Sequence, residues 1–158
     1  MAISGTLAAE DAMNMSNAVF GVDLGSTGTF AAVSTWTTNV ATTGGEAPTA
    51  EMMRLAGDPI VSVGRKGART VTITAIYDNA ATGVFQNVYA AHEAATAGRK
   101  CDVQWTAFGA TAGDPRFTTV NGLLTSCTLP DLNASEANPS TFQFVIFASA
   151  VELDDVPA

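Results

Sequence analysis

The chain has 158 residues, enough for one domain with its own core, and 47% of them are hydrophobic against only 14% charged. Fifteen acids oppose seven bases for a net charge of −8, which argues against a protein that grips nucleic acid by neutralising phosphates. With one histidine, two cysteines and no apolar run near the roughly 20 residues of a membrane span, neither a multi-histidine metal site nor a bilayer is expected.

Residues 1–17 are small and polar, carry three methionines and keep no period, so they read as a flexible or partner-docked arm. No basic residue precedes Arg54, and a secretory signal is therefore not expected. Stretches 18–24 and 29–38 are strand candidates separated by the Gly-Ser-Thr-Gly turn at 25–28, with Phe30, Ala32 and Trp36 on one face of the second. Residues 39–59 hold Gly44-Gly45, Pro48, Pro59 and a short apolar patch at Met52, Met53 and Leu55, and are expected to be a long connection. Connections of that length are uncommon unless functional.

Stretch 60–78 reads as strand–turn–strand, broken at Gly64-Arg65-Lys66-Gly67. In its second half Val71, Ile73, Ala75 and Tyr77 alternate with Thr70, Thr72 and Thr74, predicting an aliphatic face and a threonine face. Residues 82–97 form the one helix candidate, with Val84, Val88, Ala91 and Ala95 at helical spacing beside Phe85 and Tyr89. Thr82 or Asn79 would cap its start and Gly98 its end, with Arg99 and Lys100 near the negative pole of its dipole.

Stretch 101–108 is expected as a strand with Val103 and Trp105 on one face. Stretch 117–129 is expected as another, bulged at Asn121-Gly122, with Leu123, Thr125, Cys127 and Leu129 on one side. Residues 130–140 read as a loop. Stretch 141–151 is the strongest strand, placing Phe142, Phe144, Ile146 and Ala148 on one side and Val145 and Phe147 on the other, with both sides expected to be covered. Residues 152–158 read as an acidic tail. The two cysteines, Cys101 and Cys127, match no zinc spacing and are expected as free thiols.

No catalytic constellation emerges. Residues 21–28, GVDLGSTG, look like the first phosphate loop of the actin and sugar-kinase superfamily, but 158 residues cannot hold that fold's two lobes. A tight turn between strands explains the same letters. Gly64–Gly67 lacks the strand-to-helix context of a Walker loop. Asp23, Asp58, Asp102 and Asp114 are scattered, and their separation gives no reason to bring any two together. No cofactor is expected.

Three stretches carry a resemblance: GGEAPTAEMMRLAGDPIVSVGRKGARTVTITAIYDN at 44–79, VQWTAFGATAGDPRFTTVNGLLTSCTLPDL at 103–132 and STFQFVIFASAVE at 140–152. In their order they resemble the major tail tube proteins of long-tailed bacteriophages, over about two-thirds of the chain. The resemblance implies a mainly β fold, a β-sandwich of one domain spanning residues 1–158 with one flanking α-helix and a long inter-subunit loop at 39–59. It further implies a structural virion protein rather than an enzyme, whose subunits form hexameric rings that stack into a tail tube, the conduit for DNA ejection. Such a subunit is assembled in the host bacterial cytoplasm and resides in the virion tail, beside a tape measure protein and tail-end proteins, with viral DNA passing through unbound. On this reading Glu46, Met52, Met53, Arg54 and Leu55 belong to the loop that reaches another subunit. Thr70, Thr72 and Thr74 are the candidate lumen face. A capsid decoration or sugar-binding sandwich is the alternative from another class.

Overall fold

In the computed structural model, residues 18–78, 80–94, 99–107, 109–130 and 139–157 are described. They build eleven strands and one helix. The strands are β1 (Val19–Leu24), β2 (Ala31–Ala32), β3 (Thr37–Gly44), β4 (Thr49–Met52), β5 (Ile60–Val63), β6 (Arg69–Ile76), β7 (Cys101–Thr106), β8 (Pro115–Val120), β9 (Leu123–Cys127), β10 (Thr141–Ala148) and β11 (Ala150–Asp155). The helix, α1 (Val84–Glu93), lies between β6 and β7. A five-stranded sheet runs β11-β8-β7-β1-β2 and a four-stranded sheet β3-β6-β10-β9, every pairing antiparallel.

Alternating strands make the core. Val71, Ile73 and Ala75 of β6 pair in register with Ile146, Phe144 and Phe142 of β10, and all six are sealed from solvent. Facing them, Phe20 and Val22 of β1 lie opposite Trp105 and Val103 of β7. The expected mainly β sandwich with one helix is the architecture found. The helix closes one end of this core: Phe85 sets its ring edge-on to Tyr77 and to Phe142, each 5.1 Å away between centroids. It is shorter than its periodicity suggests. Gly83 stands at its N-cap with no side-chain bond, so Thr82 is not the cap, and Asn79, Ala95 and Gly98 lie outside the described residues. Arg99 does serve the other end, donating to the Ala94 carbonyl at 3.1 Å.

Several expectations change once strands find partners. Stretch 60–78 is not a hairpin, because β5 pairs with β4 while β6 pairs with β3 and β10. Its Gly-Arg-Lys-Gly break is an interruption within one long path, and 39–59, expected as a connection, supplies the opposing path through β3 and β4. Stretch 29–38 forms only the two residues of β2 before turning at 34–36; Val33 is buried and Ala32 exposed.

Stretch 117–129 is two strands in different sheets, joined by a corner at Asn121 (φ 51°) and Gly122. A Cβ on Gly122 would run into the Cys101 carbonyl, so only glycine lets β8 turn into β9 there. The corner also shifts the alternation: Leu124 is buried, while Leu123 and Leu129 are exposed. The outer side of β10 is not covered among the described residues, with Phe147 48% exposed. Residues 152–155 are no loose tail but most of β11, hydrogen-bonded in register to β8. The N-terminal arm, and residues 131–138 of the 130–140 loop, lie outside the described residues.

Both cysteines are free. Burial, reinforced by the Asp102 and Asp23 charges, pushes the Cys101 thiol up to about 12; burial with Glu93 nearby pushes Cys127 up to about 11.

Candidate assembly surfaces

β3 and β6 do not end at the sheet. From Gly44 and Arg69 outward the two paths stay together through Gly45 N–H to the Ala68 carbonyl (3.0 Å), Gly67 N–H to the Glu46 carbonyl (2.9 Å) and Gly64 N–H to the Pro48 carbonyl (2.7 Å). They then run on as β4 and β5, paired from Thr49–Val63 to Met52–Ile60. The whole is one long hairpin with its tip at 53–59. Gly44 (φ 83°) and Gly45 (φ 78°) re-aim the ribbon at its root, where a side chain on Gly44 would meet the Ala68 carbonyl.

Every residue from 48 to 67 is exposed. The arm nevertheless carries Met52 (68% exposed), Met53 (77%), Leu55, Ile60, Val61 and Val63. Glu46 sits exposed near its root and Arg54 at its tip. The structure therefore brings the loop residues singled out in the sequence onto one projecting element. Sequence reasoning missed Ile60, Val61 and Val63 on the opposing strand, where Ile60 stands across from Met52. That they lie in a strand was visible, but which strand they would pair with was not. A two-stranded ribbon alone in water is marginal, and apolar residues this exposed imply cover from another surface.

The second surface is the outer face of the four-stranded sheet. In register across it stand Asn39, Thr74 and Gln143; then Ala41, Thr72 and Val145; then Thr43, Thr70 and Phe147. No charge appears among them. Thr70, Thr72 and Thr74 are half-buried by these neighbours, and Gln143 Nε2 donates to Thr74 Oγ1 at 3.2 Å. β3 and β9 terminate this sheet, and apart from a single bridge from Leu123 to Lys100 their outer edges carry no strand among the described residues.

The tempting phosphate-loop letters do something else. Asp23 accepts from the Thr27 hydroxyl (2.8 Å) and the Gly28 N–H (2.6 Å), closing the turn onto its own carboxylate. Asp102, directly opposite on β7, accepts from the Ser26 hydroxyl (2.6 Å), the Thr119 hydroxyl (3.1 Å) and the Gly122 N–H (2.8 Å). Two of the four scattered aspartates are thus cross-strand neighbours, contrary to the sequence expectation. Like charges there cost stability, and five donors offset it. Asp58 and Asp114 are not part of this pair; Asp114 accepts from the Thr111 N–H at 2.9 Å.

Burial would raise the Asp23 carboxyl, but the N–H groups of Thr27, Gly28 and Thr29 and the Thr27 hydroxyl outweigh it and hold the group below the ordinary aspartate value. A lowered folded-state value stabilises the fold above the unfolded value of about 3.9 and is lost as pH falls through the folded one. Urea midpoints measured from pH 7 to pH 2 are therefore expected to fall on the acid side. Asp23→Asn should flatten that fall and cost ~1–3 kcal/mol at pH 7. An acid limb unchanged in the variant would contradict this assignment.

A cleft of about 690 Å³ opens between this turn and the start of α1, with Trp36 at its rim. Asp23 and Asp78 both line it, and Asp78 accepts from the Ala80 N–H at 2.9 Å. Two carboxylates face any phosphate that would enter, which disfavours nucleotide. No group of three or more potential metal ligands occurs among the described residues, and no described helix is long and apolar enough to cross a membrane. His92 lies on the helix surface against Glu93, 3.2 Å away.

No family model matches the chain, and no curated protein does. Its fold does match solved structures. A chain in the cap of the anti-feeding prophage, described as the tube terminating cap, aligns over 98% of this chain and 99% of its own with a TM-score of 0.71 and 18% identity. A chain in the sheath–tube complex of an extracellular contractile injection system, PVC, in the extended state, aligns over 94% and 95% with a TM-score of 0.69 and 14% identity. A third, in the six-fold symmetrised anti-feeding prophage baseplate, covers 100% of both chains with a TM-score of 0.62 and 9% identity. At such identities these likenesses show a shared fold.

Proposed function

We propose that this chain is a structural subunit of a phage-like tail tube, completing its exposed surfaces with identical copies. One observation carries the reading: a β-ribbon exposed from residue 48 to residue 67 and rich in apolar side chains, rooted in a sheet whose border strands β3 and β9 gain no further strand among the described residues. The likeness in fold to chains of tube, cap and baseplate assemblies supports it.

The four-stranded sheet is the element that lines the bore. Joining the β9 edge of one copy to the β3 edge of the next removes both open borders. Six copies, the symmetry of one of those assemblies, would contribute twenty-four strands. At about 4.8 Å between strands and a tilt near 40°, such a cylinder is roughly 50 Å across, and side chains leave a bore of about 40 Å. That is wide enough for a DNA duplex. The threonine face of Thr70, Thr72 and Thr74 then meets the passing polymer without a charge that would hold phosphates, and DNA slides through unbound. The ribbon, with Glu46, Met52, Met53, Arg54 and Leu55, reaches a neighbouring subunit, and a tape measure protein and tail-end proteins complete the particle. No catalytic role is part of this reading.

A binding-module reading rests on the cleft beside Trp36 alone. Negative-stain microscopy of the concentrated protein separates the two. Rings or stacked tubes with a central channel are expected, and a strictly monomeric particle that takes up glycan would overturn the tube.

A further inference from the structure

The inner face of the five-stranded sheet runs past the core that covers it. In register along that face stand Phe20, Trp105, Phe117 and Leu153, one from each of β1, β7, β8 and β11. Phe20 is buried, Trp105 and Phe117 are half-buried and stacked at 5.5 Å, and Leu153 is 66% exposed. Burial declines step by step towards β11, because the four-stranded sheet does not extend over that end. β11 is also the last strand of its sheet, and no further strand pairs with its outer edge among the described residues. This end of the sandwich is an apolar sheet face with nothing seated on it among the described residues.

Charge indicates the occupant. The hairpin from 44 to 69 holds four bases, Arg54, Arg65, Lys66 and Arg69, against three acids, for a net charge of +1. The rest of the chain holds three bases against twelve acids, or −9, which together make the chain's −8. Three of those acids, Glu152, Asp154 and Asp155, lie exposed on β11 around Leu153. The protein therefore separates an apolar, net-positive arm from an apolar, acid-fringed platform. The arm of the same copy does not rest on the platform, since residues 48–67 are exposed throughout.

We propose that the ribbon of one copy packs on the uncovered β8–β11 face of a second copy, apolar residues against Leu153 and Arg65 and Lys66 against Asp155, which shares that face by alternation. The inference rests on the assembly reading above and adds the surface that receives the arm. Free edges of ribbon and platform can also pair, extending the five-stranded sheet. Opposite charge fixes the register and suppresses wrong contacts, so the association weakens as salt rises.

The test uses the full chain and measures the fraction that sediments as assemblies at low salt. Asp154 is left alone because it pairs with Arg116 at 3.2 Å. Reversing the arm (Arg65→Glu with Lys66→Glu) or the platform (Asp155→Lys) is expected to lower the sedimenting fraction at least tenfold. Mixing the two variants should restore it, because each then supplies the complement of the other. Circular dichroism melting of each variant, unchanged from the parent, shows that folding is not the cause. Reversals that leave sedimentation at the parent's level overturn the proposal, and would mean that another surface, or the chain's own residues 1–17, occupies the platform. If removing the ribbon still abolished assembly in that case, the tube reading would stand. A mixture no better than its components also overturns the pairing. A parent chain that never sediments overturns both readings.

Discussion

Replacing residues 48–64 by a two-residue Asn-Gly turn should leave a folded monomer that no longer forms tubes. The cut falls across both paths of the hairpin, joining Ala47 to Arg65 and retaining the root bonds between Gly45 and Ala68 and between Glu46 and Gly67. Asn-Gly supplies the positive φ values that a tight hairpin turn needs. Nothing removed belongs to the core, so the melting temperature should stay within a few degrees of the parent. The sedimenting fraction should fall at least tenfold, since the arm holds the largest group of exposed apolar side chains among the described residues. A deletion of 44–56 would be a poorer experiment. It strips one strand of the ribbon, leaves β5 without a partner and shortens β3. Tubes of normal length from the symmetric cut would remove the arm's role in assembly.

Phe144→Ala should come close to unfolding the protein. The ring is wholly buried, stacks on Phe142 at 6.0 Å between centroids and lies in register with Ile73 on one side and Cys127 on the other. Deleting a buried phenylalanine costs about 3–5 kcal/mol through lost transfer energy and the cavity left behind. That is a large share of the 5–15 kcal/mol by which domains are stable, and corresponds to a fall of roughly 6–20 °C at this size. Phe147→Ala, three residues on and on the open side of the same strand, should change the melt of the monomer by a few degrees at most. Calorimetry of the two variants checks the assignment of faces, and equal losses would show that the outer face of β10 is covered after all.

The contrast between these two phenylalanines shows how far periodicity carries. Alternation in 69–76 and 141–148 named Val71, Ile73, Ala75, Phe142, Phe144, Ile146 and Ala148 as one-sided, and each is buried. Period two is a property of a single extended strand and needs no partner to be read. The same letters could not say whether the other side of β10 was covered, because that depends on what lies across from it. Nor could they reveal the corner at Gly122, which moves the buried position from Leu123 to Leu124. A corner and a bulge both begin with Asn-Gly, and only the sheet that receives the next strand distinguishes them. Asp23 and Asp102, separated by half of the chain, became neighbours only through the pairing of β1 with β7.

What the amino acids settled unaided is local and compositional: a mainly β chain of low charge, a helix around Val84–Glu93, free thiols, and an apolar patch where Met52, Met53 and Leu55 lie. Each follows from the preferences of a residue and its near neighbours. Tertiary structure decided which strands pair, and so turned a supposed connection and half of a supposed hairpin into one projecting ribbon. Pairing is a contest among edges far apart in the chain, whose backbone hydrogen bonds are chemically alike. The winner is the arrangement that buries the most side chain, and that quantity exists only once the whole chain has folded.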